Sequence, residues 1–331
     1  MENKKILLGN ILLLVALSLF ILIPIIASVL LGINVERDGN TSLIISGVAS
    51  VLALGGISLL YCKITKRSFK NVMVIKKISI KQVIAILFAT VGTYIFAVGI
   101  NIISMRLFKV VAEDSKVITD LLSNSSTLIG LVVVVLIPAF FEEIFFRGVL
   151  LDAYEGMNRK LKYFIITAIF ASFHGNVMQI IYVMFLGLIL LKIREYTGSI
   201  LGSMLLHGVN NAISFSLSKV AMAYMKLMEK EGLDVVQEGA KADAMNRAPT
   251  ATLFGAFVFF LVGGTILFIS LRRLKGIKEE KEGLELVKED YMEIGETYVE
   301  IKEEVFDTDK KQYIPLAIYF VVITLLVVSS Y

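Results

Sequence analysis

The chain has 331 residues, of which 56% are hydrophobic and 19% charged, with a net charge of +4 and a mean hydropathy of +0.79. A water-borne domain carries about 25% charged residues, so a soluble fold of this composition would leave too much apolar side chain on its surface. Four prolines and one cysteine, Cys62, exclude collagen-like, disordered and disulfide-framed classes and leave no cysteine cluster for a metal.

Apolar runs of about 20 residues, the length that crosses a bilayer, follow one another along the chain. The first covers residues 6–31 behind Lys4 and Lys5. It is too long for the apolar part of a signal peptide, and no small-x-small site closes it. Further spans are predicted at 43–62, 83–105 and 122–151, the last interrupted by charge. Residues 161–191 form two short spans or one broken pair, and 199–217, 251–271 and 313–328 complete the series. The expected fold is all-α, a polytopic transmembrane helical bundle of eight or nine spans. Its parts are N-terminal spans (1–121), a core (122–217), an extracytoplasmic loop (218–250), a span (251–275), an acidic cytoplasmic linker (276–312) and a C-terminal span (313–331). In the loop, Met222, Met225 and Met228 recur every third residue, which suits an interfacial helix as well as an irregular outer segment.

Lys and Arg gather between spans in a pattern that sets orientation. Lys4 and Lys5, the run from Lys63 to Lys81, Arg159 to Lys162, Lys192 with Arg194, and Arg272 to Lys278 all fall on one side if 161–191 crosses twice. That side is expected to be the cytoplasm, with the N-terminus inside and the C-terminus outside.

Within the fourth span the sequence reads LIGLVVVVLIPAFFEEIFFRGVLL, placing Glu142, Glu143 and Arg147 among Phe, Ile, Leu and Val. A charge at the centre of a spanning helix costs about 2.5–3.5 kcal/mol on insertion scales, so each needs a partner or water. Glu143 and Arg147, at i and i+4, share a face, whereas Glu142 is turned about 100° away. Pro138, four residues before Glu142, should bend the helix and free a carbonyl. The only two histidines, His174 and His207, also lie in apolar segments. His207 shares a face with Asn211 and Ser203. Counted along the helices, Glu142, His174 and His207 can meet in one layer.

Such a cluster suits water activation by Glu142 with His174 as a general-base pair. His207 and the Asn211 amide would be donors to a developing oxyanion, and Phe170 would be a wall beside His174. Each feature alone also fits a structural part. A Glu–Arg pair packs helices, a histidine or Asn211 bonds between them, and two histidines with a glutamate can bind zinc.

EEIFFR at 142–147, FASFH at 170–174 and HGVNN at 207–211 resemble the EExxxR, FxxxH and HxxxN motifs of the CAAX prenyl protease and bacteriocin-processing family of glutamate intramembrane endopeptidases. The likeness covers about residues 122–217. It implies a helical bundle with its site inside the membrane and a metal-independent peptidase needing no cofactor. By motif position, Glu142 activates water with His174, His207 and Asn211 form the oxyanion-side pair, and Glu143, Arg147 and Phe170 support them. It also implies a partner that is a membrane-associated peptide or protein within the lipid bilayer, lipidated in the prenyl branch, rather than nucleic acid. Family members cut prenylated C-termini, process peptides or confer bacteriocin immunity. The alternatives are a non-proteolytic membrane immunity or regulatory partner protein and a proton-coupled transporter. The charge pattern makes the protein a multi-pass protein of the cell membrane; a topology reporter fused at Lys66 is expected on the cytoplasmic side, and an external signal would reverse the orientation.

Overall fold

The computed structural model describes residues 2–32, 39–107, 122, 125–175, 177–231, 249–292 and 310–329. Its elements are all helices: α1 (Glu2–Leu31), α2 (Gly39–Thr65), the short α3 (Phe69–Met73), α4 (Ile80–Leu107), α5 (Thr127–Ala153), α6 (Arg159–Ser172), α7 (Val177–Thr197), α8 (Ile200–Lys230), α9 (Pro249–Met292) and α10 (Ile314–Ser329), the last preceded by a 3-10 turn over Lys310–Tyr313. The protein is a polytopic membrane-spanning helical bundle. Among the described residues six helices, α1, α2, α4, α5, α9 and α10, are long and apolar enough to cross a membrane.

Helices α6 to α8 fall outside that measure, for physical reasons tied to what they carry. α6 has 14 residues, about 21 Å of rise against a hydrocarbon core of about 30 Å. α7 ends in Lys192, Arg194 and Glu195, and α8 interrupts its apolar run with Ser203, His207, Asn210 and Asn211.

Two boundaries differ from the composition-based reading. The segment expected to loop from residue 218 begins as helix, because α8 continues to Lys230 through Ala, Met, Lys and Glu, which favour helix. Met222 is buried in a cluster with Leu122, Val135 and Phe215, while Met225 is exposed. α9 likewise continues to Met292, into the stretch read as an acidic linker. Lys275–Glu279 and Lys278–Glu282 pair at 3.3 and 3.5 Å along it, an i,i+4 pattern that supports a solvated helix. The remainder of the loop (232–248), of the linker (293–309) and of the N-terminal segment (108–121) lies outside the described residues.

One end of the bundle is collared by charge. Lys5 on α1 pairs with Glu155 after α5 at 3.3 Å, and Arg67 after α2 pairs with Asp152 at the end of α5. Tyr61 on α2 donates to the same aspartate at 2.7 Å. Arg159 at the start of α6 pairs at 3.0 Å with Glu195 at the end of α7, so these two helices form an antiparallel hairpin. Gly175 takes φ +65° at its tip, a left-handed conformation that glycine enters without steric penalty.

α4 and α9 pack along each other through glycine. A methyl group on Gly92 would stand 2.9 Å from the Gly263 carbonyl oxygen, and one on Gly263 would meet the Phe96 and Gly92 backbone. Backbones in such contact leave no room for a side chain, and small residues are what allow membrane helices to approach this closely. Gly263→Leu is expected to lower thermal stability in detergent by about 1–3 kcal/mol, the range for overpacking; an unchanged unfolding midpoint would mean the helices separate freely.

Candidate active site

α5 is a continuous helix with two wide stretches, π-helical over Leu131–Leu136 and Glu143–Leu150. Between them lies Pro138. Proline offers no N–H to the carbonyl four residues upstream, here Val134, and the Asn211 amide of α8 donates to that oxygen at 3.3 Å. The carbonyl freed by the proline is therefore taken by the neighbouring helix, and α5 and α8 are joined about two turns before the acidic pair.

Glu143 and Arg147 follow on the second wide stretch. Both side chains have no exposed surface, and Arg147 Nη1 donates to Glu143 Oε1 at 3.0 Å. The guanidinium also donates to the Gly187 carbonyl of α7 at 3.3 Å and lies 4.1 Å from the centre of the Phe170 ring of α6. Phe170, at 0% exposure, touches the edges of both histidine rings, at centroid distances of 5.0 Å to His174 and 6.0 Å to His207. Phe146 packs against it at 5.1 Å. Four helices thus converge on one ion pair.

His207, on α8, is 2% exposed and its Nδ1 lies 2.9 Å from Glu143 Oε1. An ionised carboxylate only accepts hydrogen bonds, so Nδ1 carries the proton and Nε2 faces away. That Nε2 stands 3.9 Å from Glu142 Oε2. Glu142 is partly accessible, with 17% of its side chain exposed, and this oxygen has no hydrogen-bond partner in the protein. The gap exceeds a direct hydrogen bond and suits a group placed between the two.

His174 is arranged by its own helix. Its Nδ1 lies 2.8 Å from the Phe170 carbonyl, and since a carbonyl cannot donate, this nitrogen is again the protonated one. In the neutral ring Nε2 would then be the acceptor nitrogen. Among the described residues no ion pair within 4.0 Å joins Glu142 to His174; the histidine nearest Glu142 is His207. The sequence-based reading sets His174 beside Glu142; the ion-pair contact of Glu142 is with His207, since α8 runs past the acidic pair.

Two residues outside the sequence-based set join the site. Asn210, 1% exposed, donates to the Tyr182 hydroxyl of α7 at 2.6 Å and to Asn211 Oδ1 at 3.4 Å. With its oxygen held by Asn210 and one N–H on Val134, the Asn211 amide keeps a second N–H. An asparagine beside a motif asparagine and a tyrosine in an apolar run were the available signals; neither names its partner. Among the described residues, no group of three or more His, Cys, Asp or Glu is placed to hold a metal ion.

A family profile described as Type II CAAX prenyl endopeptidase Rce1-like matches residues 124–213. Over that part the chain is similar to the Rce1-like family. No curated protein and no solved structure matches the chain. The Rce1-like segment takes in α5, α6, α7 and the first half of α8, and so contains the acidic pair, Arg147, Phe170, both histidines and both asparagines. α1, α4, α9 and α10 stand outside it and enclose it. Within the segment the buried pair makes a sharp stability demand: Glu143→Gln leaves the Arg147 guanidinium unneutralised and is expected to cost about 3–5 kcal/mol. Thermal unfolding in detergent should show a far larger drop for Glu143→Gln than for Glu142→Gln.

Proposed function

We propose that the protein is an intramembrane endopeptidase that hydrolyses a peptide bond of a membrane-associated peptide or protein. The observation that carries this reading is the oriented chain Arg147–Glu143–His207. It points a histidine Nε2 at an unpartnered glutamate oxygen 3.9 Å away. The Rce1-like assignment supports it independently.

In this mechanism Glu142 is the general base. It takes a proton from a water molecule, whose oxygen attacks the scissile carbonyl carbon. His207 is oriented by Glu143 through Nδ1, and an N–H at its Nε2 would donate to the oxygen that becomes an oxyanion. The free N–H of Asn211 is a second donor. Such preorganised donors gain strength where water is excluded. The intermediate then collapses: the C–N bond breaks and the departing nitrogen takes the proton held by Glu142. His174 Nε2 assists that proton's transfer, and Phe170 keeps both rings in place. No step requires a metal or cofactor.

The arrangement also supports a membrane topology finer than six spans. With α6 and α7 as a hairpin and α8 returning, nine helices cross or enter the bilayer, the N-terminus is cytoplasmic, and the collar of Lys, Arg, Asp and Glu lies on the inner face. The substrate would then be a segment reaching the site from that face or from the lipid, as a lipidated C-terminus or a leader peptide does.

Cells carrying the native chain and the Glu142→Gln variant, compared by mass spectrometry of the termini in membrane peptides, test the proposal. Removing a general base is expected to slow cleavage by about 10²-fold or more, so native-specific termini should vanish at equal membrane abundance. Retention of those termini would remove Glu142 as the base, and a non-proteolytic partner role would stand in its place.

A further inference from the structure

The last helix, α10, lies outside the Rce1-like segment, yet it touches the turn that holds His174. That turn is the C-terminal end of α6, where an α-helix leaves its final carbonyls without intrahelical donors. Here each carbonyl is provided for. Phe170 O receives His174 Nδ1 at 2.8 Å, Ala171 O receives the His174 N–H at 3.3 Å and Ser172 O receives the Gly175 N–H at 3.0 Å. Ile169 O receives the Phe173 N–H at 2.9 Å and the Tyr319 hydroxyl of α10 at 3.1 Å. The same hydroxyl is 2.9 Å from Ser172 Oγ, which itself reaches Ile169 O at 3.0 Å. Tyr319, Ser172 and Ile169 are in mutual contact one turn below the imidazole, with two hydroxyl protons shared among three contacts, and Tyr319 has no exposed surface.

The 3-10 turn that leads into α10 is fixed as well. Asn10 of α1 donates to the Gln312 carbonyl at 2.7 Å and accepts from the Tyr154 hydroxyl at 2.6 Å, and Tyr154 immediately follows α5. Gln312, in the 3-10 turn that leads into α10, and Tyr319 are seven residues apart, with Leu316 buried between them. The helix therefore ties the end of α5, which carries Glu142, to the end of α6, which carries His174. A polar contact in an apolar interior has no water to replace it, so both ties define a fixed length.

We propose that α10 is a strut and that Tyr319 is a positioning residue for His174, holding the depth and angle of its ring relative to Glu142. The proposal rests on the peptidase reading for its effect on cleavage, but its geometric content stands apart from it. A side chain that merely glued α10 to α6 would affect stability and leave the imidazole where it is.

The chain contains two histidines, which makes the test direct. Full-length protein with ring-labelled histidine, in detergent micelles, gives two imidazole signal sets, assigned with His174→Gln. Tyr319→Phe, which removes only the hydroxyl, is expected to shift the His174 set and leave that of His207 in place, and Ser172→Ala is expected to do the same. In the cleavage assay Tyr319→Phe should lower kcat about tenfold or more with KM nearly unchanged, as expected for a displaced reacting group. Unmoved His174 signals in both variants, with a lowered unfolding midpoint alone, would overturn the strut. If Glu142→Gln cleaves like the native chain, the peptidase reading fails, and the histidine spectrum alone decides for or against Tyr319.

Discussion

A carboxylate and a guanidinium without exposed surface hold each other 3.0 Å apart in a bundle built mainly of Leu, Ile, Val and Phe. Two charges taken out of water recover the loss only through close contact and further hydrogen bonds. Each neighbour of Glu143 and Arg147 meets part of that demand. α7 contributes the Gly187 carbonyl, α6 the face of Phe170, and α8 the Nδ1 proton of His207. Because each helix supplies one contact to the same pair, their rotations about their own axes are fixed together. The orientation of His207 toward Glu142 is a by-product of neutralising Glu143.

Much of this was visible in the sequence, and the remainder was hidden for a definable reason. Charges in an apolar run and histidines confined to two apolar segments mark the site, and i,i+4 spacing gives the Glu143–Arg147 pair. Periodicity within one helix says which residues share a face; it says nothing about which face of another helix lies opposite. The partners of His207, Asn210 and Tyr319 are 64, 28 and 150 residues distant, and only the packing order of the helices brings them together. Composition also left the ends of α8 and α9 open. It separates apolar from polar chain, but a polar stretch rich in Lys, Glu and Ala is as able to continue a helix as to form a linker.

Polar contacts in this bundle form two tiers. One surrounds the acidic pair and leaves Glu142 unpartnered. The other, through Asn10, Tyr154, Gln312, Ser172 and Tyr319, is made of hydroxyls and amides alone and carries no formal charge. Membrane helices gain little from apolar association with one another, so bonds of this kind decide which surfaces meet. The second tier connects the N-terminal and C-terminal helices to the Rce1-like segment between them, and so joins parts of the chain that the family likeness leaves unexplained.

The wide turn over Glu143–Leu150 bears on how α5 takes a change in length. An i→i+5 turn houses one residue more than the α turn it replaces. Deleting one amino acid after Arg147 would let that stretch close to an ordinary α turn and leave the flanking helix nearly in register. An insertion between Glu143 and Arg147 would instead turn the guanidinium about 100° from the carboxylate, with little alteration in overall hydropathy.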